Sequence, residues 1–446
     1  MSTFNDLNLS KQLLRALDDL GFTSPTPIQE KAFSIIMSGK DAIGIAQTGT
    51  GKTFAYILPL LRQLTYSDQR QPRVLIVVPT RELVVQVVSE IEKLTKYMTV
   101  RCVGVYGGVK MPAQAQQVYN GVDVLVATPG RLMDLYLSRA LQLNSVKKLV
   151  IDEVDEMLNL GFRPQLMQIL DVLPPKRQNL LFSATLTEEV EKMIADYFYT
   201  PEYIETISRG TPSANITQYA YQVPNFYTKV NLLQSLLANN QSISKALLFV
   251  RNKKVADALY QLVKVNFPNQ ISLIHSNKSQ QRRFTAVRQL QDGTHRLLIA
   301  TDVIARGIDI TDVTHVINFD IPQEAAVYIH RIGRTGRAEK TGISISFITP
   351  AEKEKQKEIE ELMNKKIEML RLPGDVEISD ELTPDEIPFK KDKNLGKNRK
   401  DKNTKAPGPA FTEKKEKNKK VNLGGARRRE NQRRKLEKSI RNRSKR

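Results

Sequence analysis

At 446 residues with 40% hydrophobic content, the chain is long enough for two or three domains with ordinary cores. One cysteine, Cys102, and four scattered histidines exclude a disulfide framework and a cysteine-based zinc site; no apolar run approaches the roughly 20 residues that span a bilayer, and the N-terminus MSTFNDLNLS lacks the basic-then-apolar pattern of a secretion signal. The formal charge of +20 is concentrated, since residues 390–446 hold 24 Lys/Arg against six Asp/Glu, so the expectation is a soluble cytoplasmic body without membrane association, followed by a strongly basic tail.

In chain order, apolar runs rich in Val, Ile and Leu alternate with helix-like stretches. The first half carries VLIVVP (74–79), VLVAT (124–128), KLVID (148–152) and LLFSAT (180–185). The second carries ALLFV (246–250), SLIH (272–275), RLLIATD (296–302), HVINFD (315–320) and ISISFIT (343–349). Such runs read as buried parallel strands, and the fold class expected is α/β with two successive doubly wound parallel sheets. The pattern breaks at TISRGTPSAN (206–215). The resulting division is 1–207 for the first domain, 208–216 for a linker and 217–371 for the second domain. A last helix is expected over 351–370, with Ile359, Leu362, Met363, Ile367 and Leu370 on one face. Residues 372–389, with six acids and no base, read as an acidic linker, and 390–446 as a disordered tail too polar to offset its ordering entropy.

Ligands of such sheets bind beyond the carboxyl ends of the strands. AQTGTGKT (46–53) sits there, after the apolar DAIGIA and before a helical pattern. Gly49 and Gly51 let backbone N–H groups turn towards phosphate oxygens, Lys52 reaches the β/γ-phosphates and Thr53 holds Mg²⁺. Ala46 stands where the general phosphate-loop pattern has Gly. Such a loop needs a carboxylate from a neighbouring strand. Asp152 of VIDEVDEM (150–157) meets that need on the metal side, and Glu153 is placed to orient and deprotonate an attacking water. Asp155 and Glu156 also suit a solvated helix start, with Asp155 as N-cap. In the second half His330, Arg334 and Arg337 are spaced i, i+4, i+7, one face of a helix.

These residues resemble the DEAD-box RNA helicases of superfamily 2, over about residues 4–350 and with some ten motifs in family order. The resemblance implies two RecA-like domains and ATP with Mg²⁺. It implies an adenine site from Phe4 and from GFTSPTPIQ (21–29), with Phe22 and Gln29, beside the phosphate-binding Gln47, Thr48, Gly49, Thr50, Gly51, Lys52 and Thr53; Asp309 would take the ribose. Arg334 and Arg337 become arginine fingers, worth on the order of 10³–10⁵ in rate, with His330 near the catalytic water. PTREL (79–83), GG (107–108) and TPGR (128–131) match first-domain RNA contacts, giving Arg81, Gly108, Thr128 and Arg131. LLFVRN, SQQRR and TDVIARGID add Arg251, Gln280, Arg283 and Thr301, while Asp155, Ser183, Thr185 and Arg306 would couple the domains. HSN (275–277) departs from the family's His-Gly-Asp. Val154 departs too, where the family name spells Ala; overpacking there costs about 1–3 kcal/mol unless its neighbours adjust.

The implied activity is RNA-stimulated ATP hydrolysis coupled to local opening of short duplexes or remodelling of RNA–protein complexes. RNA would be held mainly through phosphates and 2′-OH groups, with little sequence preference, and the tail would anchor RNA through counterion release. The body and tail are similar to bacterial RhlE-like proteins of ribosome assembly or cold adaptation, which implies ribosomal-precursor or degradosome partners and a monomer. Two rivals stay open: a DNA translocase on the same fold, and an RNA chaperone or annealer working through the tail.

Overall fold

The computed structural model describes residues 3–46, 50–205, 215–302, 313–336 and 341–386. Seven strands form the first sheet: β1 (Ala42–Ile45), β2 (Val74–Val77), β3 (Cys102–Val105), β4 (Val124–Ala127), β5 (Lys148–Asp152), β6 (Gln178–Ser183) and β7 (Glu202–Glu205). Seven more form the second: β8 (Ile216–Gln222), β9 (Ala246–Val250), β10 (Ile271–Ile274), β11 (Leu297–Thr301), β12 (His315–Asn318), β13 (Gly342–Ile348) and β14 (Glu368–Leu370). Every neighbouring pair is parallel. The spatial order is β3-β4-β2-β5-β6-β1-β7 in the first sheet and β10-β11-β9-β12-β13-β8-β14 in the second. Numbered from each sheet's own first strand, the two orders are identical, so the chain holds the same RecA-like topology twice.

Parallel strands need helical crossovers, which cover both faces of the sheet and demand apolar side chains in either direction. The first sheet shows this within one strand and its next residue. Val74, Ile76 and Val78 enter the core on one face, while Leu75 and Val77 enter the core on the other. Gly44 in β1 has a steric reason: a Cβ there would lie 2.5 Å from the Phe182 ring, which occupies that space.

Four strands escape the apolar-run reading. β3 and β7 are short edge strands, β14 has three residues, and β8 (ITQYAYQ) alternates buried and exposed positions in place of a continuous run. Ile216 opens β8, so the linker expected over 208–216 ends one residue earlier; 206–214 lie outside the described residues. The helix expected over 351–370 runs from Lys353 to Met363, after a 3₁₀ turn at Pro350–Glu352. Asn364 ends it in the left-handed region at φ 48°. Residues 368–370 then pair with β8, so Ile367 and Leu370 reach the core from outside the helix.

The acidic segment is not a free linker in its described part. Residues 372–386 run along the helix Phe226–Asn239. Asp375 accepts from Ser235 Oγ at 2.7 Å and Asn239 Nδ2 at 2.9 Å. Ser379 N donates to Thr228 Oγ1 at 3.1 Å. Glu386 Oε1 accepts from Phe226 N at 2.7 Å, a carboxylate at a helix N-terminus. Val376 is buried in the domain core. Residues 390–446, expected as a tail, lie outside the described residues.

The helix Lys353–Met363 buries Ile359, 1% exposed, and leaves Leu362 43% exposed. Ile359→Ala is therefore expected to cost about 2–4 kcal/mol and Leu362→Ala no more than about 0.5 kcal/mol. Denaturant unfolding of the two variants checks the face assignment.

Candidate active site

The carboxyl ends of the strands in each sheet carry the chemistry-bearing side chains. After β1 the chain enters the phosphate loop, of which Gln47, Thr48 and Gly49 lie outside the described residues. Gly51 takes φ 91° as the cap of the helix Lys52–Gln63. A Cβ on it would strike the Gln29 side chain, so only glycine fits. Gln29 donates to Gly51 O at 3.2 Å and accepts from Thr26 N at 2.9 Å, closing a capping box on the helix Pro27–Met37. Each end of that amide keeps one hydrogen-bonding position for a ligand edge. Thr50 and Thr53 sit half-buried on either side of Gly51–Lys52. Lys52 is buried, and its Nζ has no hydrogen-bond partner among the described residues. A buried ammonium without a partner is costly, and an anion at the loop would satisfy it.

Phe4 and Phe22 part company. Phe4 is 5% exposed, its ring in the core cluster with Leu7, Leu9 and Leu13. Phe22 is 45% exposed and packs edge-on against Phe54 at 5.2 Å.

Asp152 ends β5 and is buried. Its Oδ2 accepts from the Tyr56 hydroxyl and its Oδ1 from Glu153 N, each at 2.9 Å. Burial raises its pKa to about 6, against the pull of the Lys52 charge. Glu153 follows at φ 52°, a left-handed conformation that non-glycine residues rarely adopt, and caps the helix Val154–Asn159. Asp155 is therefore not the N-cap; it lies in the first turn. Val154 is fully buried in the core face that also holds Ile151 and Met157.

Asp155 is the hub. Its Oδ2 accepts from Thr185 N at 2.9 Å and Thr185 Oγ1 at 2.7 Å, and lies 3.6 Å from His330 Nε2 of the second domain. Burial alone would raise its pKa, but His330, Lys52 and the hydroxyl bonds outweigh it and hold the group below the usual carboxylate range. Ser183 Oγ donates to Thr185 O at 2.6 Å and so braces the hub. The helix bearing His330 spans Ala325–Ile332, so Arg334 reaches the cleft from the turn beyond Gly333 instead of from a continuous helical face. Lys52, Glu153, Asp155, Glu156, Ala184, His330 and Arg334 line one cleft. Arg306, Asp309 and Arg337 lie outside the described residues.

Three residues expected at the RNA bond protein groups in the structure. Gln280 Nε2 and Arg283 Nη1 both donate to Glu82 Oε1 of the first domain, each at 3.0 Å, and Glu82 and Arg283 are buried. Their QxxR spacing serves a bond between domains. Arg131 is buried with Nη1 on Gln114 Oε1 at 2.5 Å and Nη2 on Val109 O at 3.0 Å, which holds the GG loop against the TPGR turn. Thr128 occupies the N-cap position of the helix Pro129–Leu137 without a side-chain cap bond and is buried. Arg81, its guanidinium packed on Gly108, remains at the rim, as do Thr301 at the end of β11 and the half-exposed Arg251. Arg251 Nη2 meets Asp385 of the acidic segment at 3.1 Å.

Four working residues escaped the motif reading. Glu82 stands inside PTREL, where the motif points to its arginine. Tyr56 hides in an apolar helix. Arg331 clamps Asp302, Asn318 and the Asp320 carbonyl, and buried Lys229 bonds Asp320 and Glu352. Only their burial in the fold distinguishes them from ordinary surface charges.

Residues 26–193 match the DEAD/DEAH box helicase family and residues 228–339 the helicase conserved C-terminal domain. The DEAD-box ATP-dependent RNA helicase CshA of Bacillus subtilis is 38% identical over 371 residues, covering 83% of this chain and 74% of that one. Among solved structures, Saccharomyces cerevisiae Dbp5 bound to RNA and ADP BeF3 aligns at 29% identity with a TM-score of 0.76, over 84% of this chain and 96% of that one. A DEAD box protein from the hyperthermophile Methanococcus jannaschii aligns at 35% identity over 82% and 99%, yet with a TM-score of only 0.51. The higher score at lower identity places the two sheets nearer to the arrangement in the RNA- and nucleotide-bound relative. The two tandem parallel sheets and the two matched domains define a helicase, and the chain belongs to the DEAD-box ATP-dependent RNA helicases. It is an ATP hydrolase, and RNA is its partner.

Removing one member of a buried ion pair commonly costs about 3–5 kcal/mol. Glu82→Ala strands Arg283 only when the domains close, so RNA-stimulated ATP turnover is expected to fall at least tenfold while the thermal unfolding midpoint stays near that of the parent. Steady-state kinetics and a melting curve together check this.

Proposed function

We propose that ATP is hydrolysed in the cleft lined by Lys52, Glu153, Asp155, His330 and Arg334, and that RNA lies along the two rims joined by closure. The observation that carries this reading is the 3.6 Å approach of His330 to Asp155, which brings second-domain groups onto the first-domain phosphate loop. Lys52 holds the β/γ-phosphates, and Gln29, with Phe22 on the outer side, reads the adenine. Glu153 orients the attacking water and takes its proton. Arg334 and Arg337 stabilise charge on the transferring group. Thr53 and Asp152 would hold Mg²⁺, which supplies neutralisation of phosphate charge when bound. The buried Lys52 ammonium and the buried carboxylate of Asp152 fit a phosphate–metal pair.

Arg81, Gly108, Arg251 and Thr301 contact the RNA backbone, and the +18 tail anchors further RNA without sequence preference. The working place is the cytoplasm, the working unit a monomer, and the substrates structured RNAs of ribosomal precursors or of RNA turnover. The tail charge also favours a second reading, an annealer that needs no motor.

Lys52→Ala separates the two. The motor reading expects it to abolish ATP hydrolysis and the ATP-dependent separation of a short RNA duplex, with RNA stimulating the parent at least tenfold more than DNA of the same sequence. Duplex remodelling that survives Lys52→Ala supports the annealer, and equal stimulation by DNA counts against an RNA track.

A further inference from the structure

Tyr56 is fully buried in the helix that follows the phosphate loop, one turn after Lys52. A phenol buried this deeply needs a partner for its hydroxyl, and that hydroxyl donates to Asp152 Oδ2 at 2.9 Å. The ring cannot drift. It packs on Phe182 with centroids 5.1 Å apart, and Phe182 in turn fills the space left by the missing side chain of Gly44. A chain of contacts therefore runs from β1 through β6 to the helix and ends on the carboxylate of β5.

The two oxygens of Asp152 are held from different elements. Glu153 N, the next residue in its own chain segment, takes Oδ1; Tyr56 takes Oδ2 from the helix carrying Lys52 and Thr53. One bond alone leaves a carboxylate free to rotate about its last torsion. Two fix its plane. A phenylalanine would fill the same volume and keep the tilted ring contact with Phe182, but would leave Oδ2 without this donor in a buried setting.

We propose that Tyr56 is a positioning residue for nucleotide chemistry: its hydroxyl locks the Asp152 carboxylate in the orientation that receives the metal of a bound metal–nucleotide complex. The inference rests on the reading of Asp152 as a metal-side carboxylate. Groups that orient a ligating side chain typically contribute about 10–100-fold to metal affinity or activity.

The test uses the full chain and the variants Tyr56→Phe, Asp152→Asn and both together. Binding of a fluorescent ADP analogue is titrated with Mg²⁺ from an EDTA-treated start, alongside RNA-stimulated turnover and nucleotide-free melting. Tyr56→Phe is expected to raise the Mg²⁺ midpoint about tenfold and lower kcat by a similar factor, with little change in KM for ATP and a melting point close to the parent's. The double variant should match Asp152→Asn alone. A Mg²⁺ midpoint within twofold of the parent overturns the inference, as does a double variant whose losses simply multiply. If Asp152→Asn itself leaves the Mg²⁺ dependence unchanged, the metal reading of Asp152 has failed, and the inference falls with it.

Discussion

Asp155 carries the constraint on which the cleft depends. It is a buried carboxylate whose Oδ2 is bonded by Thr185 from its own sheet and approached to 3.6 Å by His330 from the other. A carboxylate in that position is stable only while opposite charge and donors surround it. The first-domain donors are always present. The histidine comes from the second domain, so contact between the domains and electrostatic satisfaction of the acidic motif belong to one arrangement.

Closure has a second tie point. Glu82, on the helix after β2, receives Gln280 and Arg283 of the second domain. Together with the Asp155 hub it defines two places where one domain grips the other. Both are buried and polar, an arrangement that rewards the correct relative orientation and penalises near misses. The same topology appearing twice explains how the grips align: in each sheet the parallel strands deliver their carboxyl ends, and hence their polar residues, to one rim.

The apolar runs at 74–79, 148–152, 246–250 and 315–320 were legible as strands because burial on both faces forces continuous Val, Ile and Leu. β8 was not, because its pattern alternates, and β14 was not, because three residues carry no period. The end of the last helix is hidden for a related reason. Ile367 and Leu370 continue a helical spacing by chance, and only the left-handed Asn364 reveals the stop. In the site, the phosphate loop and the acidic motif were readable because their chemistry is local in sequence. The bonds of Gln280 and Arg283 to Glu82 and of Arg131 to Gln114 and the Val109 carbonyl were not legible, since a side chain's partner depends on which acceptor the fold brings within reach. Tyr56 gave no signal, because a tyrosine amid AYILPLL reads as core until Asp152 is seen beside its hydroxyl.

The most direct measurement is the distance between the two domains in solution. Dyes at the exposed positions Tyr119 and Val265, each changed to Cys in a Cys102→Ser background, report it by single-molecule energy transfer. A non-hydrolysable ATP analogue with single-stranded RNA should populate a high-transfer state in the parent, and Asp155→Ala should abolish that state while the free protein is unchanged. An equal high-transfer population in Asp155→Ala would contradict the account, because closure would then not depend on satisfying the buried acid.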